Sequence, residues 1–366
     1  MNFAVPQQQL VQSLTVISRI VSSRAILPVL TGVLLEAGDG QLRLVGSDNE
    51  TWLELSIPAT VAAAGSLVVP ARYLTELVRR IPPEQVSVDA DLSQRSISLS
   101  WSRGRLTVQG FDPAEFPLTP QVVPSAGFEI PRDQLRRMVR QTLFAASTDT
   151  TRIVFTGLLI AVEEGQLSLV ATDGFRLAVT RGALPGKLDG ELQSVLPGRV
   201  LGELAGLIEG DGPPVSVGIG KSLAAFETSS LRVVTRLVEG QFPPYRQVIP
   251  REFRTTLTIE RQALEAACDL ALAALRESGQ AMRLDLAPDS LRIQANAPER
   301  GQLEGELPAA LEGEPLRIAF NPRYLLEGIR VVSAASVVCR FTGPNGPACL
   351  EGEDGFLYVV LPVRLE

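Results

Sequence analysis

The sequence predicts an α+β protein made of three tandem copies of one domain, each with two helices packed on antiparallel sheets. Repetition is the first observation behind this. Residues 32–48, GVLLEAGDGQLRLVGSD, return as GLLIAVEEGQLSLVATD at 157–173 and more weakly as RLDLAPDSLRIQAN at 283–296. The leucine after the turn is Leu42, then Leu167, then Leu291, in steps of 125 and 124 residues. Second, other phrases keep the same order and beat. FAVPQQQL (3–10), FEIPRDQL (128–135) and LTIERQAL (257–264) form one set, and PARYLTEL (70–77), PGRVLGEL (197–204) and NPRYLLEG (321–328) another. Phe-Pro closes a unit in GFDPAEFP (110–117) and EGQFPPYRQVIP (239–250). A fixed period of this kind marks repeated structural units. The boundaries fall at about 1–122, 123–250 and 251–366. Third, period-two stretches joined by turn residues read as hairpins.

The elements follow in chain order. The first set of phrases reads as a short strand running into a helix, with Pro6 and Pro131 in the first turn, where a missing N–H costs nothing. QLRLVGSD, RSISLSWS and RGRLTVQG alternate as half-buried strands. GDG and EEG are hairpin turns, so the sheets are mainly antiparallel. The second set of phrases supplies another helix, and both helices must bury an apolar stripe on the sheets. The helix at 131–145 shows this best: Leu135, Met138, Val139 and Thr142 share one face. Arg132, Arg136 and Arg140 share another, with Arg137 close by.

Composition narrows the function. The chain has 366 residues, 45% of them hydrophobic, and a net charge of −7. Its first residues, MNFAVPQQQL, turn polar at once, unlike a signal peptide. No run approaches the ~18 apolar residues of a membrane span, so a soluble, cytoplasmic protein is expected. Cys268, Cys339 and Cys349 lack metal-site spacing and read as small core residues. No histidine is present, which removes Ser-His-Asp and Cys-His chemistry. GIGKS (218–222) resembles the end of a phosphate-binding loop, but Val215 stands where its first glycine belongs, so a β-turn is the better reading. Asp48, Glu50 and Asp173 form no metal-ligand cluster. No cofactor, metal or catalytic residue is expected.

The arginines remain. Arg136, Arg137 and Arg140 lie on one helix, and Arg72 and Arg199 begin equivalent helices of two repeats. In the third repeat, Arg261 and Arg323 are diluted by Glu260, Glu265 and Asp269. A charged helix face is most often just a solvated face. In a net-acidic chain, however, equivalent arginines on repeated domains could converge on a phosphate backbone without reading base sequence. Similar surfaces on tandem copies also suggest head-to-tail contacts that close into a ring.

At this point the residues resemble a known family. ATDGFRLA (171–178), EGQFPPYRQVIP (239–250), YVVLPVRLE (358–366), SRAILPVL (23–30) and VVPAR (68–72) together are similar to the bacterial sliding clamp, the β subunit of DNA polymerase III, over the full chain. The resemblance implies a homodimeric ring, each chain supplying half, with helices lining a hole that holds duplex DNA without sequence preference. It implies no enzyme activity. Its partners would be an ATP-driven clamp loader, the replicative polymerase α subunit, and other polymerases and repair proteins that dock linear motifs, with no membrane involved.

Carried over residue by residue, the motif groove would be Phe155, Thr172, Gly174, Phe175, Arg176, Leu177, Pro243, Val248, Val359, Leu361, Pro362, Val363 and Arg364. DNA contacts would be Arg24, Arg72, Arg136, Arg137, Arg140, Arg152 and Arg199. The dimer seam would set Leu106 and Val108, from a strand at 103–109, against Ala273, Ala274 and Leu275 on a helix near 264–276. Phe175 stands where many relatives carry His, and Gln247 where Arg is common. Leu361 and Val363 replace a Met pair, and Glu366 extends past the usual terminal Leu. From the residues alone, TDGFRL also reads as a plain hairpin turn. A repeat-built interaction scaffold without DNA stays open as the alternative.

Overall fold

The computed structural model describes residues 1–22, 27–186, 191–275, 281–297, 301–353 and 355–364. Each repeat runs twice through one order: a strand, a helix, then a run of strands. The first repeat comprises β1 (Asn2–Pro6), α1 (Gln7–Ile17), β2 (Gly32–Gly38), β3 (Gln41–Ser47), β4 (Thr51–Pro58) and β5 (Thr60–Ala63). Its second half is β6 (Gly65–Pro70), α2 (Ala71–Val78), β7 (Gln85–Asp91), β8 (Ser96–Trp101) and β9 (Gly104–Gln109). The second repeat comprises β10 (Ala126–Ile130), α3 (Arg132–Thr142), β11 (Gly157–Glu163), β12 (Gln166–Thr172) and β13 (Arg176–Ala183). It continues with β14 (Leu192–Pro197), α4 (Gly198–Leu207), β15 (Val215–Ile219), β16 (Leu223–Glu227) and β17 (Leu231–Arg236). The third comprises β18 (Thr255–Glu260), α5 (Arg261–Leu275), β19 (Met282–Ala287), β20 (Ser290–Ala297) and the long β21 (Gly301–Gly313). It ends with β22 (Leu316–Phe320), α6 (Pro322–Arg330), β23 (Ser336–Phe341), β24 (Ala348–Glu351) and β25 (Leu357–Val360).

Local chemistry sets these elements. The expected hairpin turns form at Asp39-Gly40 and Glu164-Gly165, where both residues of each pair have positive φ. That is the two-residue turn whose twist matches paired strands. Helix α3 buries Leu135, Met138, Val139 and Thr142, the face read from the sequence. It stops at Thr142, and Leu143–Ala145 continue as a 3-10 turn. Pro6 stands one step before α1, as its cap, not inside its first turn. Helix α6 opens with Pro322, and the Asn321 side chain caps it by accepting from the Arg323 N–H at 3.0 Å. Cys268, Cys339 and Cys349 are buried, and burial pushes each thiol up to about 12.

All strand pairing is antiparallel. The two halves of a repeat exchange their first strands. Thus β1 pairs β7 while β6 pairs β2, and the same swap joins β10 to β15 and β14 to β11, then β18 to β23 and β22 to β19. The sheets also run on from one repeat into the next. β17 pairs β4, and β25 pairs β13. Backbone contacts therefore divide the chain differently from its repeats. One compact unit holds Met1–Arg132 with Gly206–Leu237, and the other holds Asp133–Ala205 with Val238–Glu366. The middle repeat is shared because each of its sheets is completed by strands of a neighbour.

Gly328 marks the tightest helix-on-sheet approach near the C-terminus. A Cβ there would stand 2.5 Å from the Tyr358 ring, which is fully buried. Although alanine is the better helix former, Gly328→Ala is expected to destabilise the chain by about 1–3 kcal/mol through overpacking. Denaturant unfolding followed by circular dichroism measures this.

Candidate functional site

The second compact unit carries a groove at the β12–β13 hairpin. Thr172 Oγ1 donates to the Arg176 carbonyl at 2.6 Å and accepts from the Gly174 N–H at 3.1 Å. Asp173 Oδ1 accepts from the N–H groups of Phe175 at 2.8 Å and Arg176 at 3.0 Å. Such an Asx turn fixes the backbone locally, and Gly174 takes the positive φ of 95° that it requires. The turn holds Phe175 outward, 57% exposed. Leu177 lies opposite Val359 in the β13–β25 ladder, and the Leu361 N–H donates to the Phe175 carbonyl at 2.9 Å. The chain after β17 folds into a 3-10 turn at Tyr245–Val248 and supplies the facing wall.

The cavity so enclosed is about 250 Å³. Every residue expected in the groove lines it except Pro362, Val363 and Arg364. Those three follow the last strand along another course: the Val363 N–H donates to the Ala319 carbonyl at 2.8 Å, at the end of β22. Gln247, one of the departures from the family pattern, joins the lining, as do Pro244 and Tyr245, which the sequence reading does not name. They sit inside the FPPYRQV phrase, but the sequence does not tell which of its residues turn inward. Val248, 60% exposed, stands at the rim. The walls are apolar with few polar anchors, which suits the side chains of an extended peptide.

Arg176 is locked beneath this surface. Its side chain is 8% exposed. Nε donates to Asp173 at 3.0 Å, Nη2 to the Phe144 carbonyl at 2.6 Å, and Nη1 pairs with Glu327 of α6. The guanidinium lies 4.4 Å from the Tyr324 ring centroid and 5.6 Å from that of Phe144. Burial opposes its charge, yet Tyr358, Glu327 and Asp173 more than offset this and hold its pKa above the ordinary arginine value. Burial also pushes up the Tyr358 hydroxyl, which donates to the Tyr324 carbonyl at 2.9 Å. Arg176 thus ties the turn to the third repeat, with each of its three nitrogens already donating one hydrogen bond within the chain.

The arginines read as DNA contacts fall into three groups. Arg24 lies outside the described residues. Arg72, Arg140 and Arg199 are exposed on α2, α3 and α4, and Arg136 and Arg137 are half-buried. Arg152 sits by the groove instead, paired with Asp149 at 3.1 Å and 5.1 Å from the Phe155 ring centroid. In the third repeat acids neutralise the helices: Glu265 pairs with Arg261 at 2.8 Å and Arg330 at 3.1 Å. Of the expected seam residues, Val108 and Leu275 are buried in their own chain. Leu106 and Ala274 are half-buried and Ala273 is exposed, so these face outward.

Comparison with known proteins agrees with the repeat reading. Three family models match in series: the DNA polymerase III beta subunit N-terminal domain at residues 1–120, its central domain at 129–244 and its C-terminal domain at 246–364. The chain belongs to the DNA polymerase III beta subunit family. It is 30% identical to the beta sliding clamp of Bacillus subtilis and 31% identical to that of Pseudomonas putida, each over 100% of both chains. The solved B. subtilis clamp superposes with a TM-score of 0.94 at 30% identity. A Pseudomonas aeruginosa clamp bound to griselimycin superposes with a TM-score of 0.95 at 29% identity. Both cover 100% of each chain.

Replacing Arg176 by methionine keeps the bulk but leaves Asp173 and Glu327 without their counter-charge. Because Glu327 is partly solvated, the expected loss is about 3 kcal/mol, the low end for breaking a buried pair. Glu327→Gln, which leaves Asp173 paired, is expected to cost less. Equilibrium unfolding of both variants checks the order.

Proposed function

We propose that the chain is one half of a two-chain sliding clamp that encircles duplex DNA and tethers replication factors through the groove. The observation that carries this is the way each repeat completes its neighbour's sheet. β17 adds to β4 and β25 adds to β13. Two strands in the same positions of the repeat have no such neighbour among the described residues. One is β9, the counterpart of β17 and β25. The other is the start of β21, the counterpart of β4 and β13.

Pairing these two edges between copies closes a ring. An exposed row of backbone N–H and C=O groups is a template for exactly this kind of addition in a second chain. The register can be carried over from the internal junction. The Leu237 N–H donates to the Ser222 carbonyl and the Gly110 N–H to the Arg95 carbonyl, which marks the same step in both hairpins. Arg232 faces Glu54 and Val233 faces Leu53 in the β17–β4 ladder. The corresponding pairs are Arg105 with Glu304 and Leu106 with Leu303, one opposite-charge and one apolar cross-strand pair. The strand thus supplies the main partner for Leu106, with Ala273 and Ala274 of α5 beside it. The partner strand was not foreseen from the sequence.

A closed ring holds DNA by topology. The exposed Arg72, Arg140 and Arg199 then need only weak phosphate contacts, which are indifferent to base sequence and permit sliding. Motif peptides rich in Leu and Phe, from the polymerase α subunit, the clamp loader and repair proteins, would seat in the groove. The role is mechanical and catalyses nothing.

Retention by topology has a distinctive signature. Protein loaded by a clamp loader on nicked circular DNA is expected to survive gel filtration at moderate salt and to leave once the circle is cut. Equal retention on circular and linear DNA would mean that contact, not closure, holds it.

A further inference from the structure

The groove between repeats two and three has a counterpart within the first compact unit, and it is filled. Laying FPLTPQVVP (116–124) over FPPYRQVIP (242–250) matches Val122 to Val248. The Arg236 N–H donates to the Glu50 carbonyl at 2.9 Å, as the Leu361 N–H does to the Phe175 carbonyl. In the ladders, Trp52 faces Val234 where Leu177 faces Val359. The counterpart of Leu177 is therefore Trp52.

The two places differ in their packing. In the groove, Leu177 and Val359 are buried in one cluster with Phe242 and Tyr245 and line the cavity floor, while Val248 stands at the rim, 60% exposed. In the first unit Trp52, only 4% exposed, forms one buried cluster with Val234 and Ala225, and Val122 and Leu223 pack against that cluster. Its Nε1 is buried with no hydrogen-bond partner among the described residues, so the ring is held there by shape, not by polarity. Over it, Glu50 and Arg236 pair at 3.2 Å where the groove presents Phe175 and Leu361.

We infer that Trp52 occupies the first repeat's copy of the peptide groove and closes it to peptides. This rests on the groove reading above. An aromatic ring buries far more area than a leucine, and at this register it spans the gap to Val122 that a ligand side chain would otherwise fill. Two repeats with one fold thus become a binding site and a closed joint through one side-chain exchange.

The exchange can be made in both directions in the full chain. The probe is a fluorescein-labelled hexapeptide ending in Leu-Phe, read by fluorescence polarisation. The wild-type protein is expected to bind one peptide per chain; no binding would overturn the groove reading and this inference with it. Leu177→Trp is expected to weaken binding at least tenfold with little change in melting midpoint, since β4 shows the same ladder accepting Trp. Trp52→Leu is expected to raise the capacity to two peptides per chain, the second site being the weaker. Wild-type binding that persists unchanged in Leu177→Trp would overturn the inference and leave the groove reading intact. Should Leu177→Trp fail to fold, a capacity of one in Trp52→Leu would overturn it equally.

Discussion

A strand at the edge of a sheet carries unpaired N–H and C=O groups, and satisfying them shapes this chain more than any single contact does. Every half-repeat ends on such a strand. β17 finds β4 and β25 finds β13, so edges that would be hazards in an isolated domain become the joints between repeats. The strands exchanged within each repeat act in the same way, since β1 completes a sheet begun by β7. The remaining edges, β9 and the start of β21, inherit the same requirement. Two chains closing through them meet it without inventing a new kind of interface.

Once the joints are equivalent, function comes from breaking the equivalence. The turn before β13 is tied down by Arg176, whose guanidinium binds Asp173, Glu327 and the Phe144 carbonyl and stacks near the Tyr324 ring. The counterpart of Arg176 at the start of β4 is Thr51, whose hydroxyl meets that of Thr235 at 3.3 Å. A large buried cation needs a network around it, and that network borders the apolar groove. Where the network is missing, Trp52 fills the gap.

Much of this was legible in the sequence because it depends on short-range chemistry. The period, the Asp39-Gly40 and Glu164-Gly165 turns and the buried face of α3 follow from local residue types. The groove residues come instead from the family resemblance, because from local chemistry alone TDGFRL reads as a plain hairpin turn. Pairing between distant strands was not legible, since nothing in RGRLTVQG or GQLEGEL names a partner. For the same reason sequence does not tell that Val108 and Leu275 are buried in their own chain, or that Pro362, Val363 and Arg364 lie outside the cavity lining. The filled joint at Trp52 needed both levels: its counterpart is visible in the repeat, but only packing shows that the indole closes the space.

Closure of the ring depends on the pairing of β9 with β21 between chains. Thr107 and Gln302 should lie opposite one another across the seam, in the place that Val234 and Trp52 hold at the internal joint. A chain carrying Thr107→Cys and Gln302→Cys should form an interchain disulfide on mild oxidation, because the native thiols are buried. The product should run as a covalent dimer on non-reducing gels, and when oxidised on circular DNA it should stay bound through denaturation. Failure to cross-link in a protein that is dimeric by light scattering would contradict the proposed register and, with it, the claim that one kind of sheet joint builds the whole ring.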